Sequence, residues 1–152
     1  MAGDPAFSFE IKDIPASETR PLRRAILRPH QRPEDLVYTA DDDPRSFHLG
    51  AFDSEKLISV ASFLFDSHPE FSEEPQFRIR GMATLPDWRG QGIGMKLLES
   101  ALRRIRSEGA VLVWCNARET AFGFYEKAGF EYFGEMFEPP GIGPHKVMWK
   151  RL

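Results

Sequence analysis

The clearest chemistry in the chain lies in one stretch, Arg89-Gly90-Gln91-Gly92-Ile93-Gly94. Directly after it, Leu97, Leu98, Ala101, Leu102 and Ile105 continue from Ile93 at helical spacing, and Lys96, Glu99, Arg103 and Arg104 fall on the other side. Gly109 closes the helix. The first amides of a helix have no internal partner, and the dipole places partial positive charge there. Glycine lets an anion reach those amides, and Arg89 adds a full charge, so the stretch suits a phosphate. Two familiar phosphate patterns fail. The P-loop needs Ser or Thr after its lysine, and Leu97 follows Lys96. The dinucleotide pattern needs glycine where Met95 stands, and it normally follows the first strand of a domain.

The pattern R/Q-x-x-G-x-G/A does fit. Leu85-Pro86-Asp87-Trp88-Arg89-Gly90-Gln91-Gly92-Ile93-Gly94, with its amphipathic helix, resembles the acetyl-CoA pyrophosphate loop of the GNAT N-acetyltransferases. Asn116-Ala117-Arg118, followed by the run from Ala121 to Phe130, resembles that family's second signature. The resemblance spans residues 7–151, and its sharp motifs lie within 82–130. It implies acetyl-CoA as cosubstrate and no metal. The pyrophosphate would lie on the amides of Arg89, Gly90, Gln91, Gly92, Ile93 and Gly94. The backbones of Met82, Ala83 and Thr84 would run beside the pantetheine arm, with one N–H polarising the thioester carbonyl as an oxyanion donor does. Asn116 would touch the cofactor, and Tyr125 would face the sulfur.

Amide acetylation needs no nucleophilic side chain, because the amine itself attacks. It needs a proton for the departing thiolate. A phenol with pKa near about 10 keeps its proton at neutral pH and can protonate a thiolate whose conjugate acid lies near about 8.5, which suits Tyr125. The amine must first lose a proton. His145 and His48 are the candidate bases by their ordinary pKa, with His145 ahead because the Gly141–Pro144 loop precedes it. Glu138, the Asp41–Asp43 group and a water relay remain alternatives. Cys115 reads as a small apolar residue ending a buried strand. The acceptor is expected to be a small-molecule or peptide amine. Acid in the loops (Asp41–Asp43, Glu70, Glu73, Glu74) hints at a cationic one. The rival expectation is a non-catalytic acyl-CoA-binding sensor or interaction module of the same fold.

The elements that must position these residues read as follows. Phe7–Lys12, Phe47–Phe52, Leu57–Phe65 and Phe77–Thr84 alternate as strands. A short helix, capped by Ser17 or Thr19 and stopped by Pro29, follows the first, with Arg20, Arg23, Arg24 and Arg28 as a solvated face. Residues 30–46 and 66–75 read as loops, and the family's usual second early helix is missing. Ala110–Cys115 is a buried strand, Thr120–Ala128 a short helix, and Phe130–Glu138 and His145–Lys150 the last strands. The order predicts one α/β (α+β) domain over 1–152, a central sheet of antiparallel and parallel parts flanked by helices.

Composition narrows the function. A net charge of −3 over 152 residues argues against a nucleic-acid partner bound through phosphates. The longest apolar runs are too short for a bilayer, and the N-terminus lacks a signal peptide's apolar stretch, so no membrane partner is expected. One cysteine agrees with a reducing, cytoplasmic compartment. A homodimer is compatible with the family resemblance.

Overall fold

The computed structural model describes residues 8–27 and 29–152. Strand β1 (Glu10–Ile14) leads through Pro15 into helix α1 (Ala16–Leu22), which continues as a π-helical turn, Arg23–Leu27. Strands β2 (Phe47–Asp53), β3 (Lys56–Leu64) and β4 (Gln76–Thr84) follow as a meander. Helix α2 (Ile93–Ser107) crosses to β5 (Leu112–Arg118), and α3 (Phe122–Lys127), β6 (Glu131–Phe137) and β7 (His145–Arg151) complete the chain. One sheet holds all seven strands in the order β1-β2-β3-β4-β5-β7-β6. Its pairings are antiparallel except for β4 with β5, which are parallel. The α2 crossover is what a parallel neighbour requires, because a tight turn cannot return the chain in the same direction.

Strand alternation divides the sheet into two faces. Phe77, Ile79, Val113, Cys115 and Ala117 pack with Leu97, Leu98, Ala101 and Ile105 of α2 in the main core. Each fully buried Leu or Ile there contributes about 1.5–3 kcal/mol of transfer free energy. Val60 and Ala83 turn the other way, and meet Leu22 of α1 in a smaller cluster. Arg78, Arg80, Trp114, Asn116 and Arg118 alternate with the α2-facing residues, so they belong to the α1 face.

Several expected boundaries shift. β1 starts at Glu10, and Phe7 lies outside the described residues. Neither Ser17 nor Thr19 caps α1. The helix begins after Pro15, and the Thr19 hydroxyl donates to the Ala16 carbonyl at 2.6 Å. Pro21 sits inside α1 and has no N–H for the i−4 carbonyl, and the helix widens into the π-turn just beyond it. The 30–46 loop holds a 3-10 turn, Pro33–Leu36. Arg23, expected on a solvated face, is fully buried. No helix among the described residues is long and apolar enough to cross a membrane.

Candidate active site

The site begins where two parallel strands part. β4 and β5 pair only through Gln76–Leu112, Phe77–Val113 and Arg78–Trp114. On its other edge β4 carries a bulge. Val60 pairs with Ala83 and Ser62 with Arg80, so Ala61 opposes both Gly81 and Met82. Gly81 has φ +65°, and a Cβ there would stand 3.0 Å from Tyr38 Cε2 and from Arg23 Nε. Glycine is therefore required twice, by backbone conformation and by space. Beyond the bulge, Met82, Ala83 and Thr84 run toward the glycine loop, and the Arg89 Nε–H donates to the Thr84 carbonyl at 3.2 Å.

The loop is a 3-10 turn, Pro86–Trp88, then Arg89–Gly94 entering α2. Gly90 and Gly92 both have φ +77°, and Gly92 is the residue preceding the first turn of α2. A Cβ on Gly90 would meet nothing within 4 Å, so its backbone lies open to a ligand. Gly94 faces Met82 and Phe124, which a Cβ would reach at 3.6 and 3.5 Å. The anion end of α2 thus adjoins the parted strands. These features fit an acyl-CoA: left-handed glycines at a helix N-terminus for pyrophosphate, and an unpaired strand edge for the amides of pantetheine.

A cavity of about 350 Å³ occupies the gap between β4 and β5. Met82, Asn116, Tyr125 and His145 all line it, together with Arg78, Arg80, Arg118 and Tyr38. Tyr125 is 6% exposed, its ring between Phe124 and Phe130 at centroid distances of 5.1 and 5.3 Å. Burial, and then the hydrogen-bonded Cys115, hold its phenol pKa well above the usual value of 10. It is therefore protonated across the physiological range. Burial also pushes the Cys115 thiol up to about 12, which removes the thiolate that an acyl-enzyme route would need. His145 begins β7 opposite Arg118 and is buried. Its Nδ1 lies 2.8 Å from the Gly143 carbonyl. A carbonyl only accepts, so Nδ1–H is the donor of this bond, which leaves any proton-accepting role to Nε2.

His48 does not line this cavity. It is 5% exposed on β2, with Nδ1 2.7 Å from the Ser62 hydroxyl and Nε2 3.0 Å from the Asp41 carbonyl. Burial lowers its pKa, and both ring nitrogens hydrogen-bond within the fold. Two of the acidic triplet are likewise committed elsewhere. Asp41 is buried and takes two bonds from Arg23, at 2.8 and 2.9 Å, and one from the Tyr38 N–H at 2.9 Å. Burial alone would raise its pKa, but the Arg23 and Tyr38 bonds and the Arg23 charge outweigh that and lower it. Asp43 pairs with Arg45 at 2.8 Å, Glu73 with Arg151 at 2.8 Å, and Glu74 accepts from Ser67. Neither these carboxylates nor Glu138 line the cavity.

Sequence reading named Asn116 on the α1 face of the site but missed Tyr38, Arg80 and Arg118 beside it. Arg80 and Arg118 sit on strands that meet only in the folded sheet, and Tyr38 belongs to a segment read as a loop. The one available signal was the alternation of Arg78 and Arg80 with Phe77 and Ile79. Among the described residues no group of His, Cys, Asp and Glu is arranged to hold a metal ion.

A parted parallel pair, a strand bulge and a glycine-led helix N-terminus together define an acyl-CoA-dependent acyltransferase site. Residues 11–130 match the Acetyltransferase (GNAT) family, and the chain belongs to it. It is 45% identical over 144 residues to the uncharacterized N-acetyltransferase YitI of Bacillus subtilis, covering 95% of this chain and 97% of that one. Its fold matches that of Escherichia coli ElaA with a TM-score of 0.75 at 21% identity, over 94% of this chain and 99% of the other. It also matches an aminoglycoside 6'-N-acetyltransferase solved with coenzyme A, with a TM-score of 0.68 at 15% identity, over 93% and 96% of the two chains.

Proposed function

We propose that this protein transfers the acetyl group of acetyl-CoA directly to a primary amine on a small molecule or peptide. The observation that carries this reading is Tyr125, a buried phenol held in its protonated form, sharing one cavity with His145 at the parting of β4 and β5. The glycine loop, Arg89 to Gly94, holds the pyrophosphate, and Asn116 and the backbone of Met82–Thr84 hold the arm. Met82–Thr84 present an N–H to the carbonyl oxygen as charge gathers there. His145 Nε2 accepts the proton that the amine nitrogen loses as the C–N bond forms. Tyr125 donates its proton to the sulfur as the C–S bond breaks, and is restored from solvent. The lone thiol, Cys115, is buried and free, which suits a reducing compartment such as the cytoplasm.

The test is release of free thiol from acetyl-CoA over a panel of amines, with Tyr125→Phe alongside. The substitution keeps the ring packing and removes the acid. Turnover should fall by about 10²–10⁴-fold, the usual share of a positioned general acid. Equal turnover by Tyr125→Phe at every pH would refute the acid role. Thermal stabilisation by acetyl-CoA with no thiol release from any amine would instead indicate a binding module.

A further inference from the structure

We infer that Lys150 is a positioning residue for Tyr125: its ammonium clamps the C-terminal end of α3 and so fixes where the phenol stands in the cavity. This rests on the acyl-transfer reading above, with Tyr125 as its acid.

The helix that carries Tyr125 is short. α3 runs for six residues, Phe122–Lys127. A helix of that length does not hold itself in water, so its seat depends on ties to the rest of the fold. Its last carbonyls also lack partners within the helix and must find them in the turn that follows. The Tyr125 carbonyl accepts from the Ala128 N–H at 3.1 Å and from the Phe130 N–H at 3.0 Å, and the Glu126 carbonyl accepts from the Gly129 N–H at 3.0 Å. The Ala128 carbonyl accepts from the Lys150 ammonium at 2.6 Å. The turn out of α3 thus folds back on the backbone of Tyr125 itself, and Lys150 ties that turn to the sheet. Phe130, whose N–H closes the turn, also packs its ring on that of Tyr125 at 5.3 Å. The cap and the phenol therefore move together.

Lys150 comes from β7, 22 positions beyond Ala128. It pairs with Val113 of β5, as Met148 does with Cys115. Met148, Val113 and Cys115 all belong to the main core, so strand alternation puts Lys150 on the face where Tyr125 also packs. Gly129 makes the approach possible. It has φ +88°, and a Cβ on it would stand 2.8 Å from the Lys150 Nζ. A left-handed glycine closes the helix and leaves the ammonium its space. A cation there also meets the negative end of the helix dipole. A phenol protonates sulfur only from hydrogen-bond reach, so a small displacement of α3 costs rate.

The experiment follows Tyr125 directly. The chain has three tyrosines, Tyr38, Tyr125 and Tyr132, so NMR of the protein labelled with carbon-13 in its tyrosine rings gives few signals, and Tyr125→Phe assigns one of them. Lys150→Met keeps an aliphatic stem and removes the donor. It should shift and broaden the Tyr125 signal and lower kcat by about ten- to hundredfold. Lys150→Arg, which keeps a charged donor, should recover part of both. In a Tyr125→Phe background, Lys150→Met should cost no further rate, since the acid that it places is gone. Melting curves establish that each variant is folded at the assay temperature. A Tyr125 signal unmoved in Lys150→Met overturns the inference. So do rate losses that multiply in the double variant, because Lys150 then acts other than through the phenol. Full turnover by Tyr125→Phe overturns the acid role alone, and a displaced signal still supports the clamp. With no thiol release from any amine, the acyl-transfer reading fails and the signal decides the clamp.

Discussion

Replacing Arg23 with Met should destabilise the fold far more than its place on a short helical turn suggests. Its guanidinium is fully buried and bonds to the Asp41 carboxylate at 2.8 and 2.9 Å, the Leu36 carbonyl at 2.8 Å and the Ser62 hydroxyl at 2.6 Å. Removing it leaves Asp41, 4% exposed, with the Tyr38 N–H and with Arg20 at 3.9 Å. Breaking a buried pair from one side costs about 3–5 kcal/mol, because the remaining charge is desolvated without compensation. For a chain of this size each kcal/mol moves Tm by about 2–4 °C, so the expected loss is about 6–20 °C. The double variant Arg23→Met/Asp41→Leu removes both charges and should regain at least half of that loss. Thermal and urea unfolding of wild type, both single variants and the double variant give the coupling energy directly. A drop of less than about 3 °C in Arg23→Met, or strictly additive losses in the double variant, would refute the reasoning.

Two further outcomes follow from the geometry. Burial lowers the His48 pKa in the folded state, so below about pH 6.5 the unfolded chain takes up a proton that the folded chain declines. Stability is then fully present above that pH and is lost as pH falls through the folded pKa. Melting curves should show the slope for wild type and a flatter one for His48→Gln, with a remainder from His68, whose pKa burial also lowers. At the other end of the site, Gly92→Ala forces a side chain into φ +77°, at a cost of about 1–2 kcal/mol. Calorimetry should find CoA binding weakened severalfold, with kcat at saturating acetyl-CoA close to wild type.

Local features were legible in the sequence, because their physics is local. Apolar residues every three to four positions make α2 amphipathic whatever surrounds it. Glycines before its first turn need only their own backbone freedom to form an anion site. Alternation revealed β2, β3 and β4, and a short apolar run revealed β5. Resemblance in the stretch from Asn116 to Phe130 singled out Tyr125. Which residues share a cavity was not readable. His48 and His145 look equivalent as letters, yet only β7, pairing with β5, brings His145 to the parted strands. The acidic triplet read as a solvated turn that could attract a cation. Asp41 instead meets Arg23 from 18 positions away, and that contact exists only after α1 docks on the sheet.

The sequence by itself determined the family, the glycine loop before α2 and the order of the main elements, since each depends on neighbours a few positions apart. Only the tertiary structure decided which residues share the cavity between β4 and β5. The bulge at Gly81, the early parting of β4 from β5 and the Arg23–Tyr38–Arg80 stack join segments distant in the chain, and together they shape the cavity at the parted strands. Such contacts depend on how helices and strands pack across the sheet, which no run of neighbouring residues encodes.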